Sequence, residues 1–339
     1  MPRKVLIPVN DQESAIVAIE CAMARKWPPD TTFLLCSIIE DLANVPAGCS
    51  LAHKEVLVAE QAAHAKEMTD WLTQASQLFS TVFPQADSVI ECGQIPAKIC
   101  EIAAQWGADY ILIGSHSFGL PNRLALRGVA AQVLAFAPCT VEAVRFRSVR
   151  EMLVHNNSLD LDKIRAIASQ APRKVLIASD LSTQSTFAAD WVAEQDWGED
   201  CHVRLISVFI NSKTDSGIAI HEKAHLYTEE KKYQKHLENE LRVLGRRILA
   251  KQPGLKIDSY LVQSHSALQG ILYEVEAWGA NLVVTGAQGS GRSDESRAGS
   301  NAVKLMDNLE CSMLAVREPK NESVHYTWYQ ELQDPKIEP

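Results

Sequence analysis

A few glycines, one serine and one aspartate carry the chemistry this sequence offers. Gly286-Ala287-Gln288-Gly289 is followed, after nine further residues, by Gly299-Ser300. An apolar run through Leu282-Val283-Val284-Thr285 precedes the first glycine. Behind Ser300, residues Ala302, Leu305, Met306 and Leu309 recur at i, i+3, i+4, i+7, the spacing of one helix face. A strand that ends in glycines and restarts as a helix behind Gly-Ser suits an anion. Glycine lets the backbone approach closely. A helix start presents unpaired N–H groups and the positive end of the dipole. The pattern predicts a phosphate-bearing ligand, held in the C-terminal half.

The elements that must position this loop are legible from periodicity. Strands are predicted near 3–9, 33–39, 88–91, 109–114 and 140–144, with helices near 14–26, 52–79, 96–106 and 124–136. A second series places strands near 174–179, 202–209, 258–262, 281–286 and 312–316, and helices near 184–195, 219–251, 267–278 and 300–309. Continuous apolar strands separated by helices predict a parallel sheet covered on both faces. Ligands of such sheets sit beyond the carboxyl ends of the strands, where strand order reverses. Asp180 and the loop behind Thr285 both fall at such ends and meet there if their strands are neighbours.

The chain also repeats itself. Arg3-Lys4-Val5-Leu6-Ile7 returns as Arg173-Lys174-Val175-Leu176-Ile177, and Trp106-Gly107-Ala108-Asp109 as Trp278-Gly279-Ala280-Asn281. Pro138-Cys139-Thr140-Val141 returns as Glu310-Cys311-Ser312-Met313. The offset is 170 for the first pair and 172 for the other two. So long a period means a duplicated domain rather than a solenoid of small repeats.

With these motifs in place, the chain resembles the universal stress protein family in a tandem two-domain form. The resemblance covers all but a linker and a tail. It places domain 1 at 1–147, a linker at 148–172, domain 2 at 173–319 and a polar C-terminal tail at 320–339. The resemblance implies two doubly wound, Rossmann-like α/β domains, each a five-stranded parallel sheet of order 3-2-1-4-5. It also implies that the last strands of the two domains pair across a pseudo-twofold, giving an intramolecular pseudo-dimer. ATP-binding members carry G-x2-G-x9-G-[S/T], which Gly286, Gly289, Gly299 and Ser300 match. The family's strand-one aspartate corresponds to Asp180 and its strand-two valine to Val208, both at the adenine end. Asn301 follows the Gly-Ser pair and offers a backbone N–H. Thr285 and Ala178 would line the same cleft, although the family more often has proline in place of Ala178. The implied ligand is ATP, with Mg²⁺ offsetting its charge, and the implied role is a stress-response or signalling protein whose nucleotide acts as a conformational signal.

Copy one departs from this pattern. Its loop reads Gly114-Ser115-His116-Ser117-Phe118-Gly119, continues through Pro121, and reaches Gly128-Val129. Ser117 stands for the second glycine, the Gly-Ser pair has become Gly-Val displaced by one residue, and Asn10 replaces the aspartate. The expectation is a first half that binds nucleotide weakly or not at all and serves a structural or regulatory part.

Other readings compete for the same residues. Gly286 through Ser293 nearly spells a P-loop, but Arg292 stands where lysine is required and Asp294-Glu295-Ser296-Arg297 lacks helical period. His221-Glu222-Lys223-Ala224-His225 fits H-E-x-x-H. No third ligand follows it, so a solvated histidine pair is expected, with no metal site. No nucleophile, general base and oxyanion group converge, so no catalytic residue is assigned. A slow ATPase or self-phosphorylating protein would use Ser300, Ser290 or Ser293. An interaction scaffold with a vestigial site is the further alternative.

Bulk composition fits this frame. Lys and Arg total 33 against 42 Asp and Glu, a net charge of -9, which argues against a nucleic-acid surface. No secretory signal or transmembrane run is expected, which predicts a cytoplasmic protein with no membrane partner. The eight cysteines form no C-x-x-C pair, as expected of free, buried thiols. The tail aromatics Tyr326, Trp328 and Tyr329 suggest that part of it docks. The protein partner and any further homo-oligomer stay open.

Overall fold

The computed structural model describes residues 4–10, 12–40, 51–115, 128–145, 162, 165–166, 173–198, 200–210, 220–288 and 298–318, with the side chains of 12–13, 51–58, 61 and 220–228 excepted. In the first half, the strands are β1 Lys4–Pro8, β2 Thr32–Ile39, β3 Asp87–Cys92, β4 Tyr110–Gly114 and β5 Thr140–Val144. The helices between them are α1 Gln12–Ala24, α2 Leu51–Ser80, α3 Ile95–Trp106 and α4 Val129–Phe136. The second half repeats the order with β6 Lys174–Ala178, β7 His202–Ile210, β8 Lys256–Ser264, β9 Leu282–Gly286 and β10 Ser312–Val316. Its helices are α5 Thr183–Ala193, α6 Ile220–Lys251, α7 Ala267–Trp278 and α8 Ser300–Asn308.

All ten strands form one sheet of order β3-β2-β1-β4-β5-β10-β9-β6-β7-β8. Each half has the 3-2-1-4-5 order, parallel throughout, and the halves join by antiparallel pairing of β5 with β10. Glu142 lies opposite Leu314 in that pairing. These residues are 172 positions apart, the offset that relates the two copies, so the pseudo-twofold passes through this pair. Hydroxyls extend the ladder symmetrically: Arg317 N donates to Thr140 Oγ1 at 3.0 Å, and Arg145 N donates to Ser312 Oγ at 3.0 Å.

Two apolar layers cover the sheet, and each runs through both halves. One joins Ile16, Ile19, Phe79, Phe187, Val192, Leu241 and Ile248, from α1, α2, α5 and α6. The other joins Ile99, Val133, Leu134, Ile271, Val303 and Met306, from α3, α4, α7 and α8. The seam itself carries a buried polar group. The Arg25 guanidinium donates to both oxygens of Glu142, at 2.6 and 2.5 Å, and Tyr110 donates its hydroxyl to the same carboxylate. Trp191 from the second half stacks on Tyr110 with centroids 6.4 Å apart.

The repeated motifs turn out to touch one another. Lys4 Nζ donates to Trp106 O at 3.0 Å and Lys174 Nζ to Trp278 O at 2.7 Å, each ammonium also lying over the indole. Asp109 Oδ2 accepts from Lys4 N, and Asn281 Oδ1 from Lys174 N. Gly107 and Gly279 close their helices at φ 71 and 70, the left-handed cap that favours glycine. These motifs therefore lock helix ends to the amino ends of the strands, away from the carboxyl ends where ligands bind.

Two expectations change. Cys92 is exposed, because β3 is an edge strand with little covering it; Cys21, Cys36, Cys139 and Cys201 are buried, and the described cysteines form no disulfide. The one-residue displacement in copy one does not move the glycine off the helix start. Gly128 and Gly299 are both N-cap residues, and the difference is absorbed by an eight-residue α4 against a nine-residue α8. Among the described residues, no helix is long and apolar enough to cross a membrane.

Candidate functional site

Strands β6 and β9 are neighbours, and their register pairs Ala178 with Thr285. Strand order reverses here, since β7 follows β6 outward while β9 and β10 lie on the other side. Ala178, Thr285 and Val208 share the face covered by α7 and α8, by the alternation along each strand. The Thr285 side chain is buried, the residue 6% exposed, and Oγ1 has no hydrogen-bond partner among the described residues. A buried hydroxyl without a partner is a cost that a ligand relieves.

Asp180 lies two residues past Ala178 and is exposed. Its Oδ1 accepts from Ser182 N at 3.1 Å and Ser182 Oγ at 2.5 Å. That bond holds the carboxylate at the rim of the crevice, next to the start of α5, which Ser182 caps. Leu181 between them has φ 59, a conformation that a leucine adopts at a cost of about 1 kcal/mol or more. The strain is held by Leu181 N donating to Ser179 Oγ at 3.0 Å. No sequence signal marks Leu181, because side-chain type alone does not announce a left-handed leucine.

Gly286 has a packing reason. A Cβ there would lie 3.0 Å from both Gln184 O and Gln288 O. Its counterpart Gly114 is tighter still, with Ser14 O at 1.8 Å. The first glycine of the loop is thus demanded by the helix crossing it, in both halves. Gly270 on α7 acts similarly on Val208: a Cβ there would meet Val208 Cγ1 at 2.9 Å. The absent side chain lets α7 lie against the half-buried valine, a link that sequence reading missed because the two residues lie 62 positions apart.

The loop closes on itself at its ends. Ala287 N donates to Val316 O at 2.7 Å, and Gly299 N donates to Ala287 O at 2.8 Å. Helix α8 then begins with no side-chain cap, whereas α5 and α7 are capped by Ser182 and Ser266. Ser300 and Asn301 are exposed at this start. Its first N–H groups lack helical acceptors by geometry. Gly289, Ser290, Arg292, Ser293 and Arg297 lie outside the described residues.

The first half differs at the same points. Asn10 is fixed to β2, accepting from Ile38 N at 3.0 Å and donating to Ile38 O. A carboxylate cannot make the second bond. Ser115 N donates to Val144 O at 3.0 Å, as Ala287 N does to Val316 O. The Gly128 N–H, however, donates to Asp307 Oδ1 of α8 at 3.2 Å. The N-cap N–H of the first half is thus taken by a carboxylate from the other half, where that of the second half is taken by a carbonyl of its own loop. Arg145 ties the same regions together, donating to Ser115 Oγ and Leu309 O, both at 3.2 Å, and to Met306 O. Residues 116–127, including Ser117, Gly119 and Pro121, lie outside the described residues.

Among the described residues, no His, Cys, Asp or Glu cluster suits a metal ion. His221, Glu222 and His225 fall in the first turns of α6, where side chains are not described. Further along, Lys232 pairs with Glu229 at 2.8 Å on an exposed face, as expected of a solvated helix.

A sequence model of the universal stress protein family matches residues 1–145 and again 172–317. Among solved structures, a universal stress protein from Archaeoglobus fulgidus DSM 4304 aligns with a TM-score of 0.59 and 15% identity, covering 94% of this chain and 97% of that one. UspA from Lactobacillus plantarum covers 42% of this chain and 97% of its own length, at 24% identity and a TM-score of 0.34. A universal stress protein solved in complex with cAMP covers 43% and 98%, at 19% identity and a TM-score of 0.34. No curated protein matches the chain.

Proposed function

The chain belongs to the universal stress protein family, with one family domain in each half, and from that premise we propose that it is a stress-response or signalling protein that binds ATP in its second half. The observation that carries this reading is the uncapped start of α8 at Gly299, closed onto Ala287 at the reversal of strand order. Backbone N–H groups of Ser300 and Asn301, with the Ser300 hydroxyl and Gly289, hold the phosphates, and the positive helix end favours them. Asp180 and Val208 hold the ribose and adenine. Ala178 lines the cleft, Gly286 admits the crossing helix, and Thr285 Oγ1 gains a partner it lacks. Mg²⁺ accompanies the phosphates and offsets their charge.

The first half, residues 1–147, is the non-binding partner in this reading. Its strand-one amide is committed to β2, and its α4 start is met by Asp307. Residues 173–319 form the binding unit, 148–172 join the two, and nucleotide occupancy is read by a protein partner.

Titration of the full chain with ATP and Mg²⁺ by calorimetry tests this. One equivalent is expected per chain. Gly299→Val combined with Ser300→Ala weakens binding by about a hundredfold, the loss of two or more charge-assisted hydrogen bonds. Unchanged affinity in that folded variant, or two equivalents in the parent, overturns the reading.

A further inference from the structure

Equivalent helices of the two halves bury an acid at the same place and satisfy it differently. Glu20 of α1 and Asp190 of α5 stand 170 positions apart, the offset of the first repeated motif. The structure matches them independently. Trp27 Nε1 donates to Ala22 O and Trp197 Nε1 to Val192 O, both at 2.7 Å and again 170 positions apart. Glu20 is 1% exposed and Asp190 is 8% exposed. In the second half the cations come from the neighbouring helix. Arg247 of α6 donates to Asp190 Oδ2 at 2.6 Å, and Lys251 Nζ lies 3.7 Å from Oδ1.

Helix α2 of the first half carries no cation at the matching places. Its Leu72, Ala75 and Phe79 pack in the core as Leu241, Leu244 and Ile248 of α6 do, each 169 positions on. By that offset Leu78 stands for Arg247 and Val82 for Lys251. The cation arrives instead from the chain between the halves. Arg165 Nε donates to Glu20 Oε2 at 3.1 Å and Nη2 donates to Oε1 at 3.2 Å, so the guanidinium grips both oxygens. The Arg165 side chain is half exposed whereas Glu20 is covered, so the carboxylate bears the cost of separation. Helix α1 has two further duties. Its Ser14 O crosses Gly114 closely, and Arg25, the residue after the helix, holds Glu142 at the seam.

We propose that Arg165 makes the interdomain chain a strap, which completes the first half by neutralising Glu20 as Arg247 neutralises Asp190 within the second. The first half is then not self-sufficient at residue 147, because its buried acid draws on residue 165. Release of the strap loosens α1, and with it the seat of Gly114 and the seam. The second half has no such dependence, since its acid and its cations lie on its own two helices.

Amide hydrogen exchange in the full chain, read by mass spectrometry on peptides of α1 and α5, tests the proposal. Arg165→Met is expected to speed exchange in α1 by about tenfold and to leave α5 at the parent rate. Arg247→Met is expected to do the reverse. Glu20→Met supplies a second reading, because it removes the carboxylate and keeps the volume. Adding Arg165→Met to that variant is expected to change α1 exchange by less than about twofold. An α1 rate unmoved by Arg165→Met, a rise shared equally by α5, an α5 rate unmoved by Arg247→Met, or a full tenfold rise in the Glu20→Met background overturns the proposal.

Discussion

The two halves share a fold and differ at one helix start. In the second, α8 begins at Gly299 with its cap N–H folded back to Ala287 and no side-chain cap hydrogen bond among the described residues. In the first, α4 begins at Gly128 with its cap N–H taken by Asp307 from α8. The lesson concerns what a glycine means. Gly114 and Gly286 survive in both copies because a helix backbone crosses each strand end closely. They report packing, and their retention says nothing about a ligand. What separates the halves is the group facing the helix start, and that group comes from the other half.

The comparison breaks most visibly at those crossing glycines. Gly114→Ala is expected to cost on the order of 4 kcal/mol, since the new Cβ meets Ser14 O at 1.8 Å and backbone must move. Gly286→Ala, with its nearest atom at 3.0 Å, is expected to cost about 1 kcal/mol. Urea denaturation of both variants measures the contrast, and equal costs would show that the two crossings are equivalent.

Next comes the seam. Glu142 is 1% exposed and faces Leu314 across the pseudo-twofold. Arg25→Leu strands that carboxylate and is expected to cost about 3 kcal/mol. Arg25→Leu with Glu142→Leu makes the seam apolar on both sides and is expected to recover most of the loss. The same pair bears on which strands meet. Two β5 strands pairing symmetrically would place Glu142 against Glu142, so the buried carboxylate favours β5 with β10. A double variant no more stable than Arg25→Leu alone would show that the charge is not the cause.

Smaller differences separate the paired arginines. Burial holds Arg145 below the usual guanidinium range, and it serves Ser115 Oγ and two carbonyls at the end of α8. Arg145→Met is expected to cost about 2 kcal/mol by leaving those carbonyls unpaired. Arg317 reaches Leu134 O only at 3.5 Å, and Arg317→Met is expected to cost about half as much. Thermal unfolding of the two variants orders them.

A separate effect is spread over the alkaline limb. Burial pushes the Cys201 and Cys311 thiols up to about 11 from 9.0. A raised folded-state pKa stabilises below the unfolded value and loses that contribution as pH climbs through the folded value. Stability is therefore expected to fall from pH 9 to 11 by roughly 1 kcal/mol per pH unit for each thiol. Cys201→Val should flatten that fall relative to the parent, and an identical slope would remove Cys201 as a contributor.

Much of this molecule was legible in the sequence for a definite physical reason. Strands β1, β4, β5, β6, β9 and β10 are buried on both faces, so they read as continuous apolar runs. The repeats Arg-Lys-Val-Leu-Ile and Trp-Gly-Ala stood out because they fasten to each other, Lys4 to Trp106 and Lys174 to Trp278. Thr285 and Ala178 were implied by the family resemblance, and their pairing needed only that β6 and β9 be neighbours. Local pattern determined these features, since each depends on residues a few positions apart or on a periodicity along one element. Tertiary structure alone decided the rest. The strain at Leu181, the seat of Val208 against Gly270, the carboxylate of Asp307 at Gly128 and the meeting of Glu142 with Leu314 all join residues through space or through backbone dihedrals. A single sequence records which side chains exist, but the faces they turn to one another are fixed only when two halves close into one sheet.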